Sequence, residues 1–309
     1  MRIKKNAPIG RVKISEAKKV WIKRYVWASA TALQAKDIYC DSEGAAPIQT
    51  HNTIRLTMPG EKVLIVLSDA HSFAVTKPEG TTSQEETGFF LSELAKPLIK
   101  ILDAGYQVTF VSPKGKEPNV DPLSQSTMLA FLGNWWQKNK EDKVIAQMRL
   151  ENNLASPQPF SSISDIALNT FSGVFIPGGH APLTDLGDDP ELGRILLHFH
   201  NQKKPTAVIC HGPYALLSTK YAPQSSGFAY KGYKLTSWSD AEEKLVETLK
   251  GGTIDKVEST LRAEGAEMIA GTGQKFGSIT VDREVVSGAN PLAADALGAH
   301  FVEMLQGKH

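Results

Sequence analysis

Cysteine is almost absent from this chain: 309 residues hold two, Cys40 and Cys210. Two thiols cannot build a disulfide framework or a four-cysteine zinc site, and free thiols fit a reducing compartment. Long apolar runs are missing as well. No stretch reaches the roughly 18 uninterrupted apolar residues that a membrane-spanning helix needs. Nucleotide-binding signatures are lacking too: no GxGxxG follows a strand and no P-loop lysine occurs, so no nucleotide cofactor is expected. There is no internal repeat. What remains is an ordinary globular composition, 41% hydrophobic and 22% charged with 25 Gly and 17 Pro. It excludes a collagen-like, coiled-coil or disordered bulk.

The net charge of +1 conceals an asymmetry. Residues 1–40 carry ten Lys/Arg against Glu16 and Asp37, a local charge of +8, which leaves −7 on the rest. A basic arm on an acidic body raises nucleic-acid or membrane contact as one possibility. The simpler reading is a solvated extension that meets its own acidic body, and neither nucleic acid nor membrane is expected as a partner. Lys19, Lys23 and Arg24 interrupt Val20-Trp21-Ile22 and Tyr25-Val26-Trp27, so no secretory apolar core forms ahead of Ala28-Ser29-Ala30. The arm's basic, acid-poor composition also fits a transit peptide, but a cytoplasmic location is the expectation. Residues 1–55 are read as this extension and 56–309 as the folded body.

From Gly60 the punctuation becomes regular. Lys62–Leu67, Gln107–Val111, Gly173–Ile176 and Thr206–Ile209 are short apolar runs suited to buried parallel strands. Between and after them, helical spacing is expected from Phe89 to Gly105, over 190–201, over 213–219 and from Pro291 to Gln306. Tyr233–Ser237, Ser278–Val281 and Val285–Val286 read as later strands, and 68–88 as a polar connection. Strands alternating with helices imply βαβ units: an α/β fold with a doubly wound, mostly parallel sheet sandwiched by helices. In such sheets ligands collect at the carboxyl ends of strands. Residues 115–170 break the rhythm with Trp135-Trp136 and a charged helix over 137–152. They are expected to form a small helical cap, with the tryptophans in its core.

Three features carry chemistry. Cys210 follows a buried strand, and Gly212-Pro213 opens a helix directly behind it. A nucleophile on such a turn projects out of the sheet. A helix start favours thiolate, and the next residue can offer a backbone N–H to an oxyanion. A buried structural cysteine would occupy the same position. Pro177-Gly178-Gly179-His180 follows the preceding strand; its glycines suit either an anion-binding backbone nest or a plain turn. Glu93 sits at the rim of an apolar helical stripe. Burial there would raise its pKa into the range useful for proton transfer, whereas exposure would make it a surface glutamate.

Together these segments resemble the DJ-1/PfpI superfamily, and within it the Hsp31-like branch of chaperones and glutathione-independent glyoxalases. The matching pieces are Thr87–Glu93, Val174–His180, Val208–Pro213, Ser237–Ala241 and Ser287–Pro291, spread over residues 61–306. The resemblance implies a flavodoxin-like α/β sandwich, usually a homodimer, with Cys210 as nucleophile, His211 as its partner and Asp240 as the orienting acid. It further implies that Glu93 bonds the thiol, and that Gly178, Gly179 and the backbone of His211 surround a developing oxyanion. Some members bind a metal through a His and a Glu at positions that are Leu102 and Gln107 here, so no metal is expected. No pair among His71, His180, His198 and His200 has a trusted ligand pattern. The implied activity is conversion of methylglyoxal or glyoxal to a hydroxy acid without a cofactor. A holdase for unfolded clients, protein deglycation, or a cysteine peptidase or amidase are the alternatives.

Overall fold

The computed structural model describes residues 60–125, 135–269 and 277–308, with the side chains of 125 and 135–138 left out. The basic arm, its boundary near residue 55, Cys40 and the side chains of Trp135 and Trp136 therefore lie outside the described residues.

The central sheet has seven strands in the order β10-β11-β7-β6-β1-β4-β5. They span Lys62–Val66 (β1), Gln107–Ser112 (β4), Gln158–Pro159 (β5), Phe171–Ile176 (β6), Thr206–Ile209 (β7), Ile279–Asp282 (β10) and Val285–Gly288 (β11). All neighbours pair in parallel except β10 with β11. From β1 the chain first builds outward to β4 and then returns to the other side at β6, so the switch point of the topology lies between β1 and β6. The sheet is buried on both faces, as its unbroken apolar strands require. Val63 and Ile65 pack into one layer with Leu94 and Leu98 of α1 (Leu91–Asp103) and Leu297 and Phe301 of the last helix, Ala294–Leu305. Leu64 and Val66, pointing the opposite way, pack with Leu192, Ile195 and Phe199 of the helix Pro190–Asn201. The alternation along one strand thus feeds two cores.

Three differences from the sequence expectation have physical reasons. Residues 68–88 hold an antiparallel hairpin, β2 (Ser72–Thr76) with β3 (Thr82–Glu86). Its exposed strand is almost wholly polar and gives no apolar signal, and only Phe73 and Val75 are buried, against Ile254. The 115–170 segment is tied into the body: β5 pairs with β4, and Val144, Ile145 and Met148 of the helix Trp135–Glu151 join the α1 core. The 213–219 helix is a 3₁₀ helix, Gly212–Lys220. Two further helices, Asp240–Lys250 (α4 in chain order, after Trp135–Glu151 as α2 and Pro190–Asn201 as α3) and Val257–Ala263 (α5), follow the short strand β8, Lys234–Leu235, which pairs in parallel with β9, Glu267–Met268.

Candidate active site

The carboxyl ends of β6, β7 and β11 meet at one point, and Cys210 stands there with φ +60°. A left-handed non-glycine residue costs about 1–2 kcal/mol, and the fold holds it from two sides. Its N–H donates to Gly288 O at 2.9 Å, and its carbonyl accepts from Trp238 N at 2.9 Å. Gly212 permits the turn: a Cβ there would stand 2.5 Å from Ile176 O. The strained turn aims the thiol back over the end of β6, where the backbone N–H groups of Gly179 and His211 face the sulfur.

Glycine also brings Glu93 in. Gly179 has φ +95°, and a Cβ on it would lie 2.1 Å from Gly88 O, so the strand-end turn and the chain entering α1 press together. Phe90 N donates to Gly178 O at 3.1 Å, which fixes the start of α1. Glu93, in the first turn, then projects inward and is fully buried. Its carboxyl lies beside the Cys210 thiol and the Gly178 backbone without a well-formed hydrogen bond to either. Burial pushes it up to about 8, so the carboxyl is neutral at pH 7. Burial first, and then the neighbouring Glu93, push the Cys210 thiol well above its ordinary value. The helix start by itself would favour an acidic thiol; burial of the sulfur opposes it and raises the pKa instead.

His211 Nδ1 lies 3.2 Å from Cys210 Sγ, and its Nε2 lies 2.8 Å from Glu243 Oε2. The carboxylate that meets His211 is Glu243, and the structure does not bring Asp240, the expected orienting acid, to that ring. Ser239 caps α4 in a reciprocal capping box with Glu242, and this fixes the helical phase. Asp240 then falls at the outer start of the helix, where its carboxylate accepts from Ser259 N at 3.2 Å. Glu243, one turn on, faces inward and is 1% exposed. The Ser-x-x-Glu signature in the sequence carries that helix start, but not which of the acids behind it faces inward.

Glu243 holds a second imidazole. Its Oε1 lies 3.2 Å from His180 Nε2. His180 is stacked on Phe73 of β2 at 4.5 Å and 14°, and its ring lies 4.2 Å from His211. Trp238 stacks on the His211 ring at 5.6 Å. Burial opposes a charge on Glu243, but hydrogen bonds to both histidines outweigh it and hold the carboxyl down at about 2. Burial, reinforced by the neighbouring His180, pushes His211 down to about 4 despite Glu243. At neutral pH a Glu243 carboxylate therefore faces a neutral His211 imidazole. With Nε2–H of His211 given to Glu243, Nδ1 is a bare acceptor facing the thiol. The structure thus brings Cys210, His211, Glu93, Gly178 and Gly179 together, leaves Asp240 aside, and adds Glu243, His180 and Phe73.

Leu102 and Gln107 lie apart from this cluster. Leu102 packs against the α1 core, and Gln107 is the first residue of β4, beside Lys62 at the opposite end of the sheet.

A buried cysteine on a strand-end turn, with a histidine–carboxylate pair and a buried glutamic acid beside it, thus sits at the carboxyl ends of a mostly parallel α/β sheet. The family model for ThiJ/PfpI family-like proteins matches residues 85–246, more than half of the chain, and the chain belongs to that family. It is 23% identical over 249 residues to the protein/nucleic acid deglycase HchA of Pseudomonas aeruginosa, covering 77% of this chain and 79% of that one. It is 24% identical over 250 residues to the glutathione-independent glyoxalase hsp3101 of Schizosaccharomyces pombe, covering 79% and 96%. The crystal structure of glyoxalase III from Candida albicans superposes with a TM-score of 0.62 at 22% identity, over 80% of this chain and 98% of that one, and supports the fold.

Proposed function

We propose that the chain is a glutathione-independent glyoxalase that converts methylglyoxal or glyoxal to the hydroxy acid without a cofactor. The observation that carries it is His211 Nδ1 at 3.2 Å from Cys210 Sγ, with the buried Glu93 carboxyl beside the same thiol. His211 accepts the thiol proton as sulfur bonds to the aldehyde carbon, and delivers it to the aldehyde oxygen, giving a hemithioacetal. His211 then removes the proton on that carbon while Glu93 protonates the adjacent ketone oxygen, giving an enediol. The proton on His211 returns to the former ketone carbon as Glu93 takes one from the first hydroxyl, leaving a thioester. Water hydrolyses the thioester to release the hydroxy acid and regenerate the thiol. Gly178, Gly179 and the His211 backbone surround the oxygen on which charge develops.

The name of the Pseudomonas relative favours a second reading on the same thiol, removal of dicarbonyl adducts from proteins or nucleic acids. The family resemblance supports a homodimer, a cytoplasmic location and binding of unfolded clients. Among the described residues no helix is long and apolar enough to cross a membrane.

The test is D-lactate formation from methylglyoxal without glutathione. Wild type turns over and Cys210→Ala does not. Turnover by Cys210→Ala sinks the proposal. Suppression of client aggregation that survives in that variant assigns the holdase role to another surface.

A further inference from the structure

The two imidazoles on one carboxylate have more donor capacity than a thiol-activating pair needs. His211 alone orients on Glu243 Oε2; His180 occupies the other oxygen. One ring nitrogen each of His180 and His211 and a carboxylate oxygen of Glu243 all lie within 4.8 Å of one another, and all three residues are buried; in both histidines it is Nε2 that meets Glu243. Donors at about 2.0–2.2 Å from a tetrahedral zinc ion stand about 3.3 Å apart. The two nitrogen–oxygen separations here, one to each oxygen of Glu243, are 3.2 and 2.8 Å, already close to that length. Phe73 and Trp238 stack on the two rings and hold their planes. Cys210 lies on the far side of His211, against Nδ1, and is not one of the three donors.

We propose that His180, His211 and Glu243 form a binding site for a divalent metal of the zinc class, and that occupation of this site switches the thiol chemistry off. Two imidazoles and one carboxylate suit zinc and its borderline neighbours rather than magnesium or calcium, which prefer all-oxygen sets. The switch follows from the tautomer. In the metal-free protein His211 carries its proton on Nε2 and presents a bare Nδ1 to the sulfur. A metal on Nε2 moves that proton to Nδ1, where it faces Sγ as a donor. The base that accepts the thiol proton is then gone, with no change in the covalent structure of the protein. The binding site stands on geometry alone, whereas the switch rests on the proposed role of His211 as base.

The experiment uses the full chain after EDTA dialysis, titrated with zinc against a chromophoric chelator. One site per chain is expected, persisting in Cys210→Ser and weakened at least 100-fold in His180→Asn. Glyoxalase turnover falls in proportion to the site filled and returns with EDTA. Cobalt(II) bound to the wild type gives the visible bands of a four-coordinate nitrogen–oxygen site without a thiolate charge-transfer band, a readout that needs neither variant folding nor activity. Zinc binding that is unchanged in His180→Asn, lost in Cys210→Ser, or absent from wild type overturns the site. A filled site with undiminished turnover overturns the switch and leaves the site standing.

Discussion

Glu243 Oε2 and His211 Nε2 lie 2.8 Å apart, both buried, one in the first turn of α4 and the other on the turn after β7. This contact decides which nitrogen of His211 faces Cys210, and the thiol chemistry follows from it. Glu243→Gln replaces the acceptor with an amide that also presents a donor, so the imidazole loses its fixed tautomer. Glyoxalase turnover is expected to fall at least about 100-fold, while Asp240→Asn, which only disturbs the contact with Ser259 N, stays within about threefold. Equal losses in the two variants, measured as kcat/KM for methylglyoxal, would return the acid role to Asp240.

Protonation of the buried site gives the protein a stability profile with an identifiable shape. Glu93, raised to about 8, binds its proton more tightly in the folded state. Its contribution is complete below the ordinary value of 4.5 and is lost as pH rises to about 8. His211, lowered to about 4, works the other way, and stability rises between pH 4 and 6.5. Glu243, lowered to about 2, adds a rise between pH 2 and 4.5. The wild type should therefore gain stability up to about pH 4.5, stay level to 6.5 as Glu93 and His211 offset each other, and lose stability towards pH 8. In Glu93→Gln the rise continues to about pH 6.5 and the alkaline fall disappears. Urea midpoints across this range check it; an unchanged alkaline limb in the variant removes Glu93 as its source.

Glu93→Gln also reports on catalysis and on the thiol. Turnover is expected to drop at least about 100-fold, because the amide keeps the volume but cannot exchange a proton. Alkylation of Cys210 by iodoacetamide is expected to be slow at pH 6–7, since burial holds the thiol protonated. At pH 9, where Glu93 is ionised in wild type, Glu93→Gln removes a neighbouring charge and should alkylate severalfold faster. Rapid labelling of wild-type Cys210 at pH 6 would restore the helix-start view of an acidic thiol.

The glycine pair gives a structural prediction with two separable outcomes. Gly179→Ala forces a left-handed alanine whose Cβ meets Gly88 O. A loss of about 1–3 kcal/mol in stability is expected from the strain alone, with more if the α1 entry shifts. At Gly178 a Cβ would stand 2.5 Å from Glu93 Oε2 and 2.6 Å from Cys210 Cβ, so Gly178→Ala displaces the two reacting groups themselves. Its turnover should fall further, relative to its stability loss, than that of Gly179→Ala. Thermal melts beside kcat/KM separate the two effects.

The local sequence determined most of the sheet and the position of the thiol. Apolar runs at 62–67, 107–111, 173–176 and 206–209 can only be buried strands, and the helix over 190–201 has its bounds marked by Asp189, which caps Leu192 N, and by the polar Gln202. Cys210-His211-Gly212 at a strand end reads as a projecting turn because glycine permits the close packing behind it. Tertiary structure alone decided which acid serves His211, since Asp240, Glu242 and Glu243 share one helical turn and differ only in the direction each side chain takes once α4 docks. It alone brought Phe73 from a hairpin with almost no apolar signal onto His180, and His180 onto the free oxygen of Glu243. Whether the thiol is acidic also lay beyond the sequence. A strand-to-helix turn sets the local dipole, but the depth of burial sets the desolvation that opposes it, and burial exists only when α1 and the ends of β6 and β7 close over the same atoms.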